Sequence, residues 1–288
     1  MLALSEPEKM RCAYGFWRWR EGEVDAATAM LAAVREAGID HLDTADVYDR
    51  GGSERLLGAI RARARSLFDG AVLATKAGAE PGSPYNSSRA YLTEACEASL
   101  KRLKVERVDL FYIHRPDLLT HPEELAGTLE ALVASGKVGA IGVSNFAPSQ
   151  VAALAHYLTL PIAVHQLEFS AVHVDPLFDG TLDQAMERDI AVAAWSPLAG
   201  GRLGEADTAV EPHVERVRTA LAAFAAREGI TASTAALAFV QRHPALPTPI
   251  LGTKQVRRLR DAVSAGGFTM SRWDWYTIVE AWRGAKMP

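Results

Sequence analysis

Short runs of consecutive apolar residues alternate with longer amphipathic stretches along almost the whole chain. The run from Val108 to His114 has no regular alternation of polar and apolar residues. Such a run is typical of a strand that is buried on both faces of a parallel sheet. Reading the other runs in the same way predicts eight strands, at about residues 13–17, 39–43, 71–76, 108–114, 138–143, 162–166, 190–195 and 248–251.

The stretches between these strands repeat their apolar residues at the spacing of an α-helix. Leu92, Cys96, Leu100 and Leu103 fall on one helical face, and a similar stripe runs from Val214 to Ala225. We predict seven helical segments between the strands, an eighth from about residue 255, and a last helix packed on the outside from about residue 271. Residues 199–212 are polar and contain glycine, which predicts a long loop.

The alternating order of strands and helices predicts parallel strands joined by right-handed crossovers. Eight such units in 288 residues indicate a closed (β/α)₈ TIM barrel, and we expect residues 1–288 to form one domain. An open, doubly wound sheet is the alternative, but it would favour a glycine-rich phosphate turn after an early strand. The chain contains no G-x-G-x-x-G, no Walker A loop, no nucleophile elbow and no H-E-x-x-H motif.

The net charge and the two cysteines indicate which partners, compartment and metal sites to expect. A formal net charge of −4, with no basic block, argues against nucleic acid or an anionic membrane as a partner. We expect a cytoplasmic protein without a membrane span, since no apolar run approaches the ~18 residues that a span needs and residues 1–10 lack the apolar core of a signal peptide. Cys12 and Cys96 lie too far apart in the sequence to make a metal framework, so we expect no metal site and a reducing compartment.

Polar or charged side chains follow seven of the eight predicted strands. Active sites of (β/α)₈ barrels lie at the carboxyl ends of the strands. Here the strand ends are Gly15-Phe16-Trp17, Asp43-Thr44, Lys76, His114, Ser144-Asn145, Gln166, Trp195-Ser196-Pro197 and Gly252-Thr253-Lys254. Taken alone, each of these residues would more often serve in a turn, a helix cap or the core, or lie in solvent. Their occurrence together at one rim of the barrel indicates a functional site.

Four of these positions carry complementary acid–base chemistry. Asp43 and Lys76 end neighbouring strands, His114 ends the next one, and Tyr48 follows Asp43 by five residues. A phenol beside an ammonium, a carboxylate and an imidazole is suited to give a proton to a carbonyl oxygen.

The chain resembles the aldo-keto reductase superfamily over nearly its whole length. The matching stretches are D43-T-A-D-V-Y48, A74-T-K-A-G78, I113-H-R-P-D117, S135-G-K-V-G-A-I-G-V-S-N-F146, Q166-L-E-F-S170, W195-S-P-L-A-G200 and P249-I-L-G-T-K254. The resemblance implies NAD(P)H-dependent reduction of aldehydes and ketones to alcohols, without a metal. It also implies a catalytic tetrad of Asp43, Tyr48, Lys76 and His114, with Tyr48 as the proton donor. Because the fourth position is a histidine, carbonyl reduction is expected instead of reduction of an enone double bond.

The resemblance also implies a cofactor site and a substrate wall. The cofactor-binding residues would be Thr44, Ser144, Asn145, Gln166, Trp195, Ser196, Pro197, Leu198, Arg202, Gly252, Thr253, Lys254 and Arg258. Trp195 would stack on the nicotinamide, and the last three residues would hold the adenosine 2′-phosphate. No carboxylate occurs from Gly252 through Arg260, so we expect NADPH to be preferred and NADH to remain possible. Phe16, Trp17, Tyr48 and His114 would line the pocket for a small carbonyl substrate.

Simple electrostatics adds two expectations for the tetrad. A charged Lys76 beside Tyr48 should lower the pKa of the phenol, and Asp43 should pair with Lys76. The chain departs from its relatives at two places. Gln255 replaces a residue that is often basic or threonine, so we expect the phosphate to be bound less tightly than in relatives. The tail after Gly267 is short, which suggests an open pocket with broad specificity.

Three other functions are compatible with parts of the pattern. A non-catalytic subunit that binds a nicotinamide cofactor to regulate a partner protein could retain the same tetrad. A Schiff-base lyase would use Lys76 as a nucleophile, but pairing with Asp43 would keep that lysine charged. A metal hydrolase would need several histidines and carboxylates at the strand ends, where we find one of each.

Overall fold

The computed structural model describes residues 12–79, 84–204, 210–265 and 268–288. Eight strands within these residues form a closed parallel barrel in the order β1 to β8. The strands are β1 (Ala13–Gly15), β2 (His41–Asp43), β3 (Val72–Ala77), β4 (Val108–Ile113), β5 (Val138–Ser144), β6 (Ile162–Glu168), β7 (Ala191–Trp195) and β8 (Thr248–Leu251). The predicted (β/α)₈ barrel is therefore confirmed, and each predicted strand is present with bounds that differ by at most two residues.

Helices follow the strands and cover the outside of the barrel. They are α1 (Val24–Glu36), α2 (Gly52–Arg63), α3 (Arg89–Leu103), α4 (Pro122–Ala134), α5 (Pro148–Tyr157), α6 (Thr181–Glu187), α7 (Pro212–Glu228), α8 (Ala232–Gln241), α9 (Val256–Ser264) and α10 (Arg272–Arg283). Short 3₁₀ helices lie at Tyr48–Gly51, Arg65–Phe68, Asp175–Leu177 and Ala199–Gly201. None of the helices in the described residues is long and apolar enough to cross a membrane.

The prediction of one helix between β7 and β8 is wrong, because the chain forms two there. Gly229 ends α7 in the left-handed conformation at φ 68°, and the Thr231 side chain accepts a hydrogen bond from Thr234 N to begin α8. The predicted stripe from Val214 to Ala225 covers only α7, and the residues of α8 were not identified as a second helix. The predicted long loop at 199–212 begins with the turn at Ala199–Gly201, and its residues 205–209 lie outside the described residues.

The apolar core has two layers. A small inner cluster fills the barrel, and it includes Leu110, Tyr112 and Ile250. The larger cluster lies between the strands and the helices, where the predicted stripes on α3 and α7 are buried. Glycine is required at position 142, because a Cβ there would approach the Tyr112 ring to 2.6 Å. Tyr112 therefore fills the barrel directly below the rim that carries the polar strand ends.

The last helix packs on the outside of the barrel, as predicted. Arg227 of α7 makes two hydrogen bonds of 2.9 Å to the carboxylate of Asp274 in α10. Trp275 Nε1 donates to Phe239 O of α8 over 3.1 Å, and the two rings stack with 5.2 Å between centroids. These contacts hold α10 against α7 and α8.

Candidate active site

A buried ion pair lies at the carboxyl-terminal rim, between the ends of β2 and β3. Lys76 Nζ lies 2.8 Å from Asp43 Oδ1 and 2.7 Å from Asp43 Oδ2, and it also donates to Thr44 O over 2.8 Å. The Lys76 side chain has no exposed surface. Parallel pairing of β2 with β3 brings the two ends together, since Asp43 is in register with Ala74, two residues before Lys76.

Tyr48 lies beside this ion pair at the start of a 3₁₀ helix. Its phenolic oxygen lies 3.5 Å from Lys76 Nζ. Its ring meets the His114 ring edge-on, with 5.7 Å between centroids. His114 follows β4 directly, and its backbone N–H donates to Ala77 O over 2.7 Å. The structure therefore brings together Asp43, Tyr48, Lys76 and His114, as the order of strand ends predicted.

The backbone after Tyr48 has an uncommon conformation. Asp49 and Arg50 have φ angles of 52° and 53°, and Gly51 follows at 81°. A left-handed run that includes two residues with a Cβ is strained, and such strain is concentrated at functional sites. The Asp49 carboxylate accepts a hydrogen bond of 3.1 Å from Glu21 N, and Arg55 donates to Arg50 O over 3.3 Å. These contacts hold the turn that places Tyr48, and no sequence motif indicated them.

Burial and the neighbouring charges together set the protonation states of Lys76 and Tyr48. Burial alone would lower the pKa of Lys76, but the charge and hydrogen bonds of Asp43 outweigh it and raise that pKa, so the ammonium stays charged. Burial raises the pKa of Tyr48 above its usual 10.0, and Lys76 opposes this only in part because Asp43 acts in the other direction. The expected net lowering of the Tyr48 pKa is therefore wrong, and the phenol keeps its proton near neutral pH.

His114 is neutral in this environment. Burial, together with the charges of Lys76 and Arg115, lowers the pKa of the imidazole to about 3. Its Nδ1 is buried and has no hydrogen-bond partner among the described residues. His114 as a whole is partly exposed at the rim.

Gln166 contacts the ion pair directly, and Glu54 holds the neighbouring residue of β3. Gln166 Nε2 donates to Asp43 Oδ1 over 2.9 Å across the barrel. Glu54 of α2 has no exposed surface, accepts from Thr75 Oγ1 at 2.5 Å, and pairs with Arg102 Nε at 2.6 Å. Sequence reasoning missed Glu54, because a lone glutamate on a helix carries no signal for burial.

The ends of β5 and β7 are joined by hydrogen bonds at the same rim. Asn145 has a φ of 59°, and its amide nitrogen donates to Ser144 Oγ at 2.7 Å and His114 O at 3.3 Å. Trp195 Nε1 donates to Asn145 Oδ1 over 2.9 Å, which fixes the indole ring at the end of β7. The predicted carboxamide contacts therefore lie together, but their polar atoms already bind other protein groups.

The remaining predicted site residues are spread along the rim from β7 to β8. Arg202 is exposed and pairs with Glu211 at 3.2 Å, while Lys254 is held by Glu23. Arg258 is exposed in the first turn of α9. Ser196 and Leu198 are partly buried, Pro197 is buried, and a Cβ at Gly252 would meet nothing within 4 Å.

Two predicted contact residues point away from the opening. Thr44 is fully buried, and its hydroxyl is 2.8 Å from Ser53 Oγ, so its side chain supports the barrel wall instead of facing a ligand. Phe16 is also fully buried and packs edge-on against Tyr14. Its side chain belongs to the core between the strands and the helices, so it does not line an opening as predicted. Trp17, at 61% exposure, remains available to a ligand.

Comparison with known proteins identifies the family. The model of the Aldo/keto reductase family matches residues 12–283. The chain belongs to this family. It is 43% identical to a 6-dehydroglucose reductase from Novosphingobium aromaticivorans over 285 residues, which cover 96% of this chain and 92% of the relative. A second 6-dehydroglucose reductase, from Agrobacterium fabrum, is 35% identical over 96% of each chain.

A solved structure supports the fold independently. The crystal structure of a thermostable aldo-keto reductase with the inhibitor epalrestat matches with a TM-score of 0.82 and 23% identity, over 94% of each chain. Family membership and the oxidoreductase relatives make this chain an oxidoreductase of the carbonyl-reducing aldo/keto reductase type.

Proposed function

We propose that this aldo/keto reductase reduces aldehydes and ketones to alcohols with NADPH, and that Tyr48 is the general acid. The observation that carries the proposal is the 3.5 Å contact between Lys76 Nζ and Tyr48 Oη, with Asp43 holding the ammonium in place. A carbonyl oxygen placed next to Tyr48 accepts the phenolic proton. The positive charge of Lys76 then stabilises the phenolate that remains.

His114 orients the carbonyl in this mechanism. As a neutral imidazole it can donate one hydrogen bond from Nε2, and it does not compete with Tyr48 as a cationic acid. A hydrogen bond from His114 and one from Tyr48 would fix the carbonyl oxygen in one orientation. Because Lys76 stays charged beside Asp43, it is a poor nucleophile, and a Schiff-base lyase is disfavoured.

The residues at the rim fit a nicotinamide dinucleotide. Trp195 offers a partly exposed ring held by Asn145. Ser144 and Gln166 would bind the carboxamide in exchange for hydrogen bonds that they now make with Asn145 and Asp43. When bound, the reduced nicotinamide supplies the hydride that the carbonyl carbon receives. Ser196, Leu198 and Arg202 would hold the pyrophosphate, beside the open space at Gly252.

The adenosine end would bind near the start of α9. Phosphate sites of (β/α)₈ barrels often lie in the loops after strands 7 and 8, at the N-terminus of a short helix. Lys254 precedes α9, Arg258 lies in its first turn, and that turn contains no acid. Cations at this end oppose the helix dipole, so their presence favours an anion such as the 2′-phosphate.

We further propose that the substrate is a hydroxylated, sugar-like aldehyde. Two relatives at 43% and 35% identity are named 6-dehydroglucose reductase. Arg115 lies next to His114, partly exposed, with Cζ 5.7 Å from the centroid of the Trp195 ring. It makes no ion pair or hydrogen bond within the described residues, which leaves its donors available to substrate hydroxyl groups.

The test is a set of aldehydes and ketones incubated with the purified protein and NADPH, with cofactor oxidation followed by absorbance. We expect turnover of hydroxylated aldehydes at a higher kcat/KM than that of apolar aldehydes of the same size. Tight NADPH binding without turnover of any carbonyl compound would contradict the proposal. That result would instead favour a regulatory subunit that binds the cofactor without catalysis.

A further inference from the structure

Lys254 is paired with a carboxylate that the sequence places 231 residues away. Its Nζ lies 2.8 Å from both Oε1 and Oε2 of Glu23, the residue that precedes α1. About a third of each side chain remains exposed, 35% for Lys254 and 36% for Glu23. The ammonium also lies 4.5 Å from the centroid of the Trp19 ring. Lys254 is therefore not a free cation.

Both partners are held in place by the loop after β1. Glu23 Oε2 accepts a hydrogen bond of 2.8 Å from Arg20 N. Trp19 Nε1 donates to Tyr14 Oη over 2.9 Å, and Tyr14 Oη donates to Thr253 O over 2.8 Å. These hydrogen bonds connect Thr253, the residue before Lys254, to Trp19, whose ring lies against the Lys254 ammonium. The fold therefore fixes the position of the Lys254–Glu23 ion pair.

The hydrogen bond from Lys254 and that from Arg20 N lower the pKa of Glu23. The carboxylate is therefore ionised throughout the neutral range. An anion that approaches Lys254 meets this negative charge at the same position. The competition is electrostatic, and water and salt screen it because both side chains are partly exposed.

We infer that Glu23 is a residue that determines cofactor choice: it competes with the 2′-phosphate for Lys254 and so weakens the preference for NADPH over NADH. This inference rests on the proposed function, in which Lys254 contacts the 2′-phosphate. The expected preference for NADPH was based on the absence of a carboxylate from Gly252 through Arg260, and Glu23 lies outside that segment. A carboxylate beside the adenosine ribose is the usual mark of NAD recognition, and here it comes from the opposite end of the chain.

The test compares two fragments that differ by one phosphate, 2′,5′-ADP and 5′-AMP, by isothermal titration calorimetry on the protein without cofactor. Glu23→Gln keeps the shape of the side chain and removes its charge. We expect the ratio of the two affinities to rise in favour of 2′,5′-ADP by about three- to tenfold, as for a screened charge near a dianion. The affinity for 5′-AMP should stay unchanged, which also shows that the variant is folded.

Two controls separate this role from a general charge effect. Glu21→Gln removes a carboxylate of the same loop that pairs with Arg55 Nε at 2.8 Å, and it should leave the ratio unchanged. Lys254→Met should lower the ratio and reduce the effect of adding Glu23→Gln. An unchanged ratio in Glu23→Gln, or an equal rise in Glu21→Gln, would overturn the inference and leave the proposed function standing. If neither fragment nor NADPH bound to the protein, the proposed function would fail, and the inference with it.

Discussion

The ammonium of Lys76 lies 3.5 Å from the phenolic oxygen of Tyr48, although burial holds the pKa of that phenol above its usual value. The phenol therefore carries a proton at neutral pH and faces a fixed positive charge. Loss of the proton to an acceptor costs less beside that charge than in an apolar pocket. The phenol of Tyr48 is therefore protonated at neutral pH, and its phenolate would be stabilised by Lys76, as the proposed acid requires.

Tyr48→Phe removes the proposed acid and keeps the ring. We expect turnover of the preferred aldehyde to fall by about two to four orders of magnitude, which is the usual weight of general acid catalysis. NADPH should bind with its normal dissociation constant, measured by quenching of tryptophan fluorescence. Tyr276→Phe is the matched control, since Tyr276 is an exposed residue of α10, and it should leave turnover unchanged. Full activity in Tyr48→Phe would exclude the phenol as the proton donor.

Asp43→Asn leaves the buried ammonium of Lys76 without its counter-charge. Burial then acts on Lys76 with less opposition, so we expect its pKa to drop and the free energy of unfolding to fall by about 3–5 kcal/mol. Urea denaturation at neutral pH measures this change.

Glu97→Gln is the comparison for Asp43→Asn, because Glu97 pairs with Lys137 where the side chains are 44% and 35% exposed. Loss of that pair should lower the free energy of unfolding much less, because water screens both charges. An equal fall in the free energy of unfolding in the two variants would mean that the buried Asp43–Lys76 pair stabilises the protein no more than the exposed pair does.

The barrel and the catalytic cluster could be predicted because both depend on order along the chain. Strands such as Val108–Ile113 are buried on both faces, so their apolar runs mark them clearly. Once eight parallel strands are assumed, the residues that end them must share one rim. Asp43, Lys76 and His114 were placed together by this geometry and by the resemblance to a family.

Contacts that join distant segments through side chains could not be predicted. The hydrogen bond from Gln166 to Asp43 and the pair of Lys254 with Glu23 depend on which rotamers meet at the rim, and no periodicity encodes that. Phe16 was misplaced because the loop after β1 buries its side chain in the outer core, and no pattern in the sequence marks that direction. The sign of the Tyr48 pKa shift was also missed, since it depends on the degree of burial.

Buried histidines should make stability depend on pH below neutrality. Burial lowers the pKa of His165 from 6.5 to about 4, so between these values the unfolded chain binds a proton that the folded chain does not. Stability is therefore lost as the pH falls from about 6.5 to about 4, and this residue alone accounts for about 2 kcal/mol at pH 5.

His165→Leu should remove that part of the acid sensitivity. Denaturation at pH 7.5 and pH 5.0 should show a smaller loss of unfolding free energy in this variant than in the wild type. His156→Leu changes an exposed histidine of α5 that stays in water on folding, and it should leave the difference between the two pH values unchanged. An unaltered difference in His165→Leu would mean that this imidazole is protonated in the folded protein.

Arg115 should separate hydroxylated substrates from apolar ones. Its guanidinium lies above the Trp195 ring beside His114, where it can donate to substrate hydroxyl groups but has nothing to offer a hydrocarbon. Hydrogen bonds from a charged donor are each worth about 1.5–3 kcal/mol, so Arg115→Met should lower kcat/KM for glyceraldehyde by about tenfold or more. Benzaldehyde should be reduced at a nearly unchanged kcat/KM. Arg115→Lys keeps the charge and should retain part of the difference, whereas equal losses for both aldehydes in Arg115→Met would show that Arg115 supports the site without selecting the substrate.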